Sequence, residues 1–317
     1  MNFLRTPQIN DYFYYQNTIK DKISFSGVGL HNGKAVDMQL IPADENSGIV
    51  FKRVDLNGNN IIKVNSENIV KSKFCSKISN GNNFSVETVE HLMSALNSLF
   101  IDNLVIEINS SELPAMDGSS YEYVLKILQI GRKPQKEPRK YLKIKKTIFA
   151  NIDDRWVQAS PSDKFNIDLE INYQNTLIGN QRFIYTHNET NFVNQICYAR
   201  TFTLAKNINK LRASGFGLGG NLNNAIVVDK DKVLNDSGLK CKDEFIKHKI
   251  LDCIGDLYLS GYQIIGDIKS YAPGHELNYK ILKEIFSCNS NFEISELDNF
   301  DSLSLQTEVN QQKYILA

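Results

Sequence analysis

One segment of the chain carries a histidine and two carboxylates at the spacing of successive turns of a helix. In DEFIKHKILDCIGDLYLS (243–260), His248, Asp252 and Asp256 follow one another at intervals of four residues, so on a helix they project as one stripe. A histidine and a carboxylate one turn apart can bind the same metal ion. An exposed ion pair is the alternative, but the apolar residues on both sides of the stripe favour an inward orientation.

A second segment places a further histidine next to a glutamate. Zinc hydrolases use about three protein ligands and keep a position open for water, so a third ligand is required. The apolar periodicity of SVETVEHLMSALNSL predicts a helix over 85–99 with Ser85 as its N-cap. Neighbouring helix residues point about 100° apart, so His91 can bind the ion while Glu90 accepts a proton from water. An ordinary pair on a helix surface is the alternative.

The remaining histidines carry weaker signals. His275 lies in SYAPGHELN, a glycine-containing segment that we predict to be a loop after a strand, where a histidine can serve as a general acid. Asp256 is then available to hold its ring, as carboxylates do for many functional histidines. His187 has no motif around it, and we predict that it lies on the surface.

The segments around these residues predict two halves of similar build. In the first half, extended segments over 18–53 and a strand over 102–108 accompany the helix, and YEYVLKILQIG predicts a second helix that ends at Gly131. RKPQKEPRK (132–140) is polar with two prolines and predicts a linker. The second half pairs its histidine-bearing helix with the strand YQIIGDI, and its Asn- and Ser-rich end predicts a partly loose tail.

Composition excludes several classes of protein. The 317 residues include 36 basic and 36 acidic side chains, and a net charge of zero argues against a nucleic-acid binder that relies on bulk charge. A hydrophobic content of 42% excludes a disordered chain. We expect no membrane span, since no apolar run reaches about 18–20 residues. The absence of a signal-peptide pattern predicts a cytoplasmic protein, and five cysteines without a CxxC motif predict reduced thiols.

Seven motifs, in their order along the chain, resemble those of one enzyme family. They are SGVGLHNG (26–33), TVEHLMSAL (88–96), LPAMDGSS (113–120), ARTF (199–202), GLGGNLNNAIVV (217–228), DEFIKHKILDCIGDLYLSG (243–261) and GHELN (274–278). Together they are similar to the UDP-3-O-acyl-N-acetylglucosamine deacetylases, zinc amidohydrolases that catalyse the committed step of lipid A biosynthesis. The resemblance runs from Thr18 to Phe286.

The resemblance implies a role for each residue that matches a family motif. The zinc ligands in that family are the histidine of TVEH and the histidine and aspartate of HKxLD, which are His91, His248 and Asp252 here. The general base is the glutamate of TVEH, here Glu90. Iron(II) is an alternative to zinc as the native metal.

Further site residues follow from the same resemblance. The histidine of GHxLN, here His275, is the acid or electrostatic partner, and Asp256 orients it. The threonine of ARTF, here Thr201, hydrogen-bonds the developing oxyanion, while Phe202 lines the substrate site. The lysine after the zinc histidine, here Lys249, contacts substrate.

The family also has an insert that forms an apolar passage for the acyl chain, and residues 198–228 correspond to it. The residues expected to line it, for which ordinary core positions are the alternative, are Leu204, Ile208, Leu211, Phe216 and Leu218. His31, in GVGLHNG, is predicted to contact substrate. Ser160 departs from the family pattern, because many members have a lysine there that meets the nucleotide phosphates. Cys75 stands where some members have a thiol near the metal. We predict a bystander thiol, and a ligand for a second ion is the alternative.

The implied fold is α+β, with two similar domains, each a β-sheet packed on α-helices, and the active site between them. The predicted division is an N-terminal extension (1–17), a first domain (18–134), a second domain with the insert (135–290) and a C-terminal tail (291–317). The predicted reaction is hydrolysis of the acetamide of UDP-3-O-(3-hydroxyacyl)-N-acetylglucosamine to the free amine and acetate. The predicted protein is a monomer whose ligand is this UDP-linked acylated amino sugar. Two rivals stay open, a non-catalytic binding protein of the same fold and an amidohydrolase that acts on another N-acyl sugar.

Overall fold

The computed structural model describes residues 11–81 and 84–297. The strands are β1 (Tyr15–Ile19), β2 (Ile23–Val28), β3 (Ala35–Pro42), β4 (Ile49–Arg53), β5 (Ile61–Lys63), β6 (Ile69–Val70), β7 (Lys77–Ser79), β8 (Ser85–Glu87), β9 (Leu104–Ile108), β10 (Arg132–Pro138), β11 (Lys140–Ile144), β12 (Ile148–Ile152), β13 (Arg155–Ser160), β14 (Phe165–Tyr173), β15 (Gly179–Thr186), β16 (Phe202–Leu204), β17 (Ile226–Asp229), β18 (Lys232–Val233), β19 (Gln263–Tyr271) and β20 (Phe292–Glu296). The helices are α1 (Asp11–Tyr14), α2 (Glu90–Ser98), α3 (Tyr121–Ile130), α4 (Glu189–Asn191), α5 (Ala205–Ala213), α6 (Glu244–Tyr258) and α7 (His275–Phe286). A π-helical turn spans Phe192–Ile196 and a 3-10 turn spans Asn289–Asn291.

The first half is built on a five-stranded sheet in the order β2-β3-β9-β4-β5. Alternation along β3 buries Val36, Met38 and Leu40 on one face, as a period of two requires for a sheet with one covered side. Helix α3 packs on this sheet, and the rings of Phe25 and Tyr123 meet edge to face with centroids 4.9 Å apart. A small sheet of β6, β7 and β8 leads into α2.

The second half is built on a seven-stranded sheet around the central strand β19. The order is β12-β13-β19-β11-β20, and β14, which also pairs with β19, carries β15. Alternate residues of β14, such as Ile167 and Leu169, are fully buried. Residues 202–233 add a separate three-stranded sheet of β16, β17 and β18, and none of the residues of α5 is buried.

Helices α2 and α6 pack against each other and join the two halves. Every residue of α2 is buried, and so is every residue of α6 except Lys249. Gly255 permits the close approach, because a Cβ there would lie 2.7 Å from the carbonyl carbon of Glu90. The two helices that carry the predicted metal ligands are thus in backbone contact.

Three local predictions from the sequence are wrong. Residues 132–138, predicted as part of a linker, form β10, which pairs antiparallel with β1 on the surface. The helix predicted over 85–99 begins at Glu90, because 85–87 pair with β7. His275 is the first residue of α7 and does not lie in a loop.

The predicted partly loose tail stays a prediction, since the structure describes only its first residues. Residues 292–296 form β20, the edge strand beside β11, while 298–317 lie outside the described residues. The predicted end of α3 at Gly131 is confirmed, with a φ of 84° that favours glycine. Within the described part of the chain, no helix is both long enough and apolar enough to cross a membrane.

Candidate active site

The first turn of α2 carries Glu90 and His91, and Thr88, two residues before the helix, sets its direction. Thr88 has a φ of 58°, a left-handed conformation that is unusual for a β-branched residue. Its hydroxyl donates a 3.0 Å hydrogen bond to the buried Glu112 carboxylate, and its backbone N–H donates to the Ser76 carbonyl over 2.9 Å. These bonds hold the turn from β8 into α2.

Three of the predicted residues form a buried cluster, as expected for metal ligands. One ligand atom from each of His91, His248 and Asp252 lies within 4.8 Å of the others. The Nε2 atoms of His91 and His248 are 3.2 Å apart, and Nε2 of His91 is 3.7 Å from Oδ1 of Asp252. No more than 8% of any of these side chains is exposed. The exposed ion pair and the helix surface pair, which were the alternatives, are therefore wrong.

The electrostatics of this cluster favour neutral imidazoles beside an ionised carboxylate. Burial lowers the pKa of His91 to about 3, with His248 adding to the effect, and burial also lowers the pKa of His248. Burial opposes ionisation of Asp252, but His248 and Lys249 hold its pKa well below the usual range. A neutral imidazole offers the lone pair that a metal ion requires.

The cluster also fits a cation by its unsatisfied atoms. Nδ1 of His248 and Oδ1 of Asp252 are buried and make no hydrogen bond with any described residue. Buried polar atoms are rarely left without a partner, and two imidazoles with one carboxylate form a donor set that suits zinc or iron(II). The donor chemistry and the unsatisfied atoms both fit a divalent metal ion.

A second cluster lies beside the first and combines Glu90, Asp256 and His275. Nδ1 of His275 is 2.8 Å from Oδ2 of Asp256, and Nε2 of His275 is 3.8 Å from Oε1 of Glu90. Asp256 therefore holds the ring of His275, as predicted, and directs its other nitrogen toward Glu90. This is the arrangement of an oriented acid facing a base.

The charges in the second cluster are mutually dependent. Burial raises the pKa of Glu90 to about 8. Burial opposes protonation of His275, but Asp256 and Glu90 raise its pKa to about 10. His275 is thus an imidazolium at neutral pH, and it can stabilise negative charge or donate a proton.

Lys249 and Phe202 both lie against the metal cluster. Nζ of Lys249 donates to Oδ2 of Asp252 over 2.8 Å and lies 5.5 Å from the centroid of the Phe202 ring. That ring meets the His248 ring edge-on, with centroids 6.2 Å apart. The structure therefore brings Phe202 to the site, while Lys249 is paired with a metal ligand and its contact with substrate stays a prediction.

Thr201 is positioned by main-chain bonds between the two halves. Its N–H donates to the carbonyl of Gly118 and its carbonyl accepts from Ile226, both over 2.8 Å. The preceding Arg200 forms an ion pair with Glu244, at the start of α6, over 2.8 Å. The residue predicted to bind the oxyanion therefore lies where the LPAMDGSS segment, the insert and α6 meet.

The predicted acyl-passage residues lie, with one exception, outside the core. None of the five is buried, and Leu218 is 51% exposed. Leu204 nevertheless packs against the core, so the alternative of ordinary core positions is wrong only for the other four residues. Phe216 contacts the rings of His31 and Phe74 edge-on, with centroids 5.4 and 4.9 Å away. The backbone of His31 accepts a hydrogen bond from Leu218 over 3.0 Å. His31 and the insert thus form one apolar surface, and burial lowers the pKa of His31.

The prediction for His187 is wrong, and that for Cys75 is supported. His187 is buried rather than on the surface, and its Nε2 lies 3.0 Å from Oδ1 of Asn97. Cys75 is buried beside the second cluster, and burial, with Glu90, raises its pKa to about 12. A protonated thiol is a poor metal ligand, which favours the predicted bystander thiol.

Ser160 lies away from the site. In the register of β13 and β19, Trp156 is opposite Tyr271 and Ser160 is opposite Asp267. His275 follows the Tyr271 end, so Ser160 stands at the other end of the strand, about 13 Å farther along. Its hydroxyl accepts a hydrogen bond from Gln158 over 2.8 Å.

Several residues that hold the site together by close contacts were not predicted from the sequence. Gly255 and Ser76 contact Glu90 in the first turn of α2, and Glu112 bonds to Thr88 just before that turn. Phe74 contacts Phe216 of the insert. The glycine lies within the helical stripe of α6, where a glycine is unfavourable unless packing requires it. This glycine within a predicted helix was the one feature of the sequence that indicated close packing of α6.

Comparisons with known proteins agree with this geometry. The sequence profile of the UDP-3-O-acyl N-acetylglycosamine deacetylases matches residues 16–287. The chain belongs to this family. A UDP-3-O-acyl-N-acetylglucosamine deacetylase of Wigglesworthia glossinidia brevipalpis is 41% identical over 90% of this chain and 96% of its own length. Proteins of the same name from Pseudoalteromonas atlantica and Actinobacillus pleuropneumoniae serotype 3 are 39% and 36% identical, over 92% and 95% of this chain and 96% and 99% of their own.

Family membership confirms three predictions from the sequence. The fold class is α+β, the chain is a metal-dependent hydrolase, and its activity is the deacetylation of a UDP-linked acylated amino sugar in lipid A biosynthesis. The rival of a non-catalytic binding protein is therefore not favoured.

Proposed function

We propose that two adjoining clusters carry out the deacetylation. His91, His248 and Asp252 hold the metal ion, and Glu90 and His275 transfer protons. The observation that carries the proposal is the contact between the clusters, since Nε2 of His275 lies 4.0 Å from Oδ2 of Asp252. Glu90 and His91 are also consecutive residues at the start of α2.

Zinc is the metal we propose, with iron(II) as the second ion that the donor set suits. A divalent cation held by the three ligands supplies Lewis acidity, which makes water more acidic and an amide carbonyl more reactive at neutral pH. Lys249 bonds to Asp252 over 2.8 Å and so keeps that carboxylate ionised and oriented as a ligand.

Glu90 is the proposed general base. It accepts a proton from the attacking water in its ionised form. Burial raises the pKa of Glu90, which makes the carboxylate a stronger base than an exposed glutamate. The facing His275 imidazolium acts in the opposite direction and lowers that pKa, which stabilises the ionised form of Glu90. Its Oε2 accepts the backbone N–H of Ser76 over 3.0 Å, so the carboxylate is held in place. His275, as an imidazolium, donates a proton to the leaving amine, and the bond to Asp256 fixes its ring.

Thr201 and Phe202 are the proposed substrate contacts on the opposite side. The Thr201 hydroxyl donates a hydrogen bond to the acetamide oxygen as negative charge develops there, which lowers the energy of the transition state. Phe202 forms an apolar wall beside His248. Lys249 is proposed to attract the substrate by its charge, in addition to its hydrogen bond with Asp252.

The acyl chain is proposed to lie along the insert. The five residues predicted to line the passage are partly or fully accessible to solvent, so an acyl chain can cover them. Each CH₂ group buried from water contributes about 0.8 kcal/mol to the free energy of binding. A fatty acyl chain therefore contributes several kcal/mol, which also helps to position the acetamide. His31, which packs against Phe216, is proposed to contact the substrate near the entrance.

The division into two domains belongs to the same proposal. β10 pairs with β1, while β11 starts two residues later in the sheet of the second half, which supports a boundary close to the predicted 134/135. Because β1 begins at Tyr15, we propose that the N-terminal extension ends before that residue. A cytoplasmic monomer stays a prediction.

Acetate release from UDP-3-O-(3-hydroxyacyl)-N-acetylglucosamine tests the function. We expect turnover by the purified protein, loss of turnover after treatment with a chelator, and recovery when Zn²⁺ or Fe²⁺ is added back. Tight binding without acetate release would support the rival binding protein. Equal kcat/KM for UDP-N-acetylglucosamine without the acyl chain would support the rival amidohydrolase.

A further inference from the structure

Ser76 lies between the two carboxylates of the second cluster and contacts both. Its backbone N–H donates to Oε2 of Glu90 over 3.0 Å, and its hydroxyl donates to Oδ1 of Asp256 over 2.5 Å. The residue is 7% exposed. It precedes β7, in the first half, whereas Asp256 belongs to α6, in the second half. One small residue thus joins the base to the residue that orients the acid.

The hydrogen bonds of Asp256 show what the Ser76 hydroxyl contributes. Oδ2 of Asp256 is close to Nδ1 of His275 and accepts from Nδ2 of Asn278, each over 2.8 Å. Oδ1 has the Ser76 hydroxyl as its one hydrogen-bond donor among the described residues. Asp256 is only 2% exposed, so without the Ser76 hydroxyl its Oδ1 is buried and has lost its hydrogen-bond donor. The carboxylate is then free to rotate away from His275.

We propose that Ser76 is a positioning residue that sets the geometry of His275 relative to Glu90 through Asp256. This inference rests on the proposed acid and base roles of His275 and Glu90. The backbone bond to Glu90 survives any substitution of the side chain, so loss of the hydroxyl acts on the acid side alone. Ser76 touches neither the three metal ligands nor the insert in any described hydrogen bond, so metal content and substrate affinity are expected to stay unchanged.

The matched pair Ser76→Thr and Ser76→Val tests the proposal. The two side chains have the same shape, and only threonine keeps the hydroxyl. A small cavity, about large enough for one water molecule, borders Ser76, Cys75 and Tyr279. The packing demand of the added methyl group is the same in both variants, so the comparison between them does not depend on it. We expect Ser76→Thr to keep kcat within about threefold of the wild type. Ser76→Val and Ser76→Ala are expected to lose about 10–100-fold in kcat, the usual range for a lost partner of a functional side chain, with KM and bound metal unchanged.

A double-mutant cycle separates positioning from a general structural role. In a His275→Gln background, Ser76→Val is expected to have almost no further effect on kcat, because its effect passes through His275. Ser79→Ala is the matched control, since its hydroxyl bonds to the Phe84 carbonyl over 2.8 Å, and we expect wild-type kcat.

Three results would overturn the proposal. They are equal kcat for the threonine and valine variants, a loss that appears in KM or metal content alone, and full additivity with His275→Gln. Failure of the proposed function is distinguishable, because the wild-type protein would then release no acetate. If Ser76→Ala does not fold, the Thr and Val pair gives the same comparison.

Discussion

Replacing Gly255 by alanine tests whether the backbone contact between α2 and α6 sets the geometry of the site. A Cβ at this position would lie 2.7 Å from the carbonyl carbon of Glu90 and 3.0 Å from its Cα, whereas ordinary contacts begin at 3.4 Å. Both neighbours are backbone atoms, so no side-chain rotation relieves the overlap. The nearest atom, the Glu90 carbonyl oxygen, would overlap the added methyl outright. The helices must therefore move apart by more than about 1 Å to reach ordinary contact distances.

This displacement affects stability and catalysis by different amounts. Overpacking of a well-packed core costs about 1–3 kcal/mol of the free energy of unfolding. The same movement shifts Glu90 and His91, on α2, away from His248 and Asp252, on α6. A misplacement of about 1 Å can lower the rate about 100-fold. We therefore expect Gly255→Ala to fold, with a lower unfolding midpoint and a kcat reduced about 100-fold.

The assays are acetate release for kcat, bound metal per chain and thermal unfolding. Gly274→Ala is the matched control, because Gly274 has an extended φ of 177° and its added methyl would meet nothing within 4 Å. Wild-type kcat in Gly255→Ala, or the same loss in Gly274→Ala, would refute the reasoning from helix separation.

Three further predictions concern the metal, the core and the acyl chain. His248→Ala is expected to lose bound metal and activity together, while Glu90→Gln keeps its metal and loses most turnover; full metal content in His248→Ala would remove it from the ligand set. Because burial lowers the pKa of His187 to about 3, the stability that depends on its neutral form is present above the unfolded pKa of about 6.5 and declines as pH falls below it. The free energy of unfolding should fall by about 1.4 kcal/mol between pH 7.5 and 5.5 from this residue, and denaturant titrations of His187→Gln should show a pH dependence smaller by that amount. Phe216→Ala is expected to lower kcat/KM about tenfold for the acylated substrate, from lost apolar contact, and to leave the rate for the sugar without an acyl chain unchanged; equal losses for both would place Phe216 outside the passage.

The site was predictable where its chemistry follows helical spacing. His248, Asp252 and Asp256 lie one turn apart, and the structure brings all three to one face of α6 beside α2. Glu90 and His275 were also predicted from the residues around them, but no distance between the two could be read from the sequence, and the structure places Nε2 of His275 3.8 Å from Oε1 of Glu90.

Predictions from the sequence are wrong where contacts with a distant segment override the local conformational preference of the residues. Ser85 looks like an N-cap, yet residues 85–87 pair with β7, and Thr88 makes the turn into the helix. His187 looks isolated, but its partner Asn97 is distant in the sequence. The segment 132–138 reads as a linker because its strand is polar and lies in a two-stranded ribbon. In each case the deciding partner is remote along the chain.

The complete burial of α2 has a consequence for how the protein is made. All residues from Glu90 to Ser98 are buried, yet the helix that covers them starts only at Glu244. During translation, α2 leaves the ribosome long before α6 has been synthesised. Its apolar residues therefore stay uncovered until most of the second half has been made. Nascent chains that stall between the two helices are therefore expected to aggregate or to require chaperones. The same contact that assembles the metal ligands makes the chain vulnerable during translation.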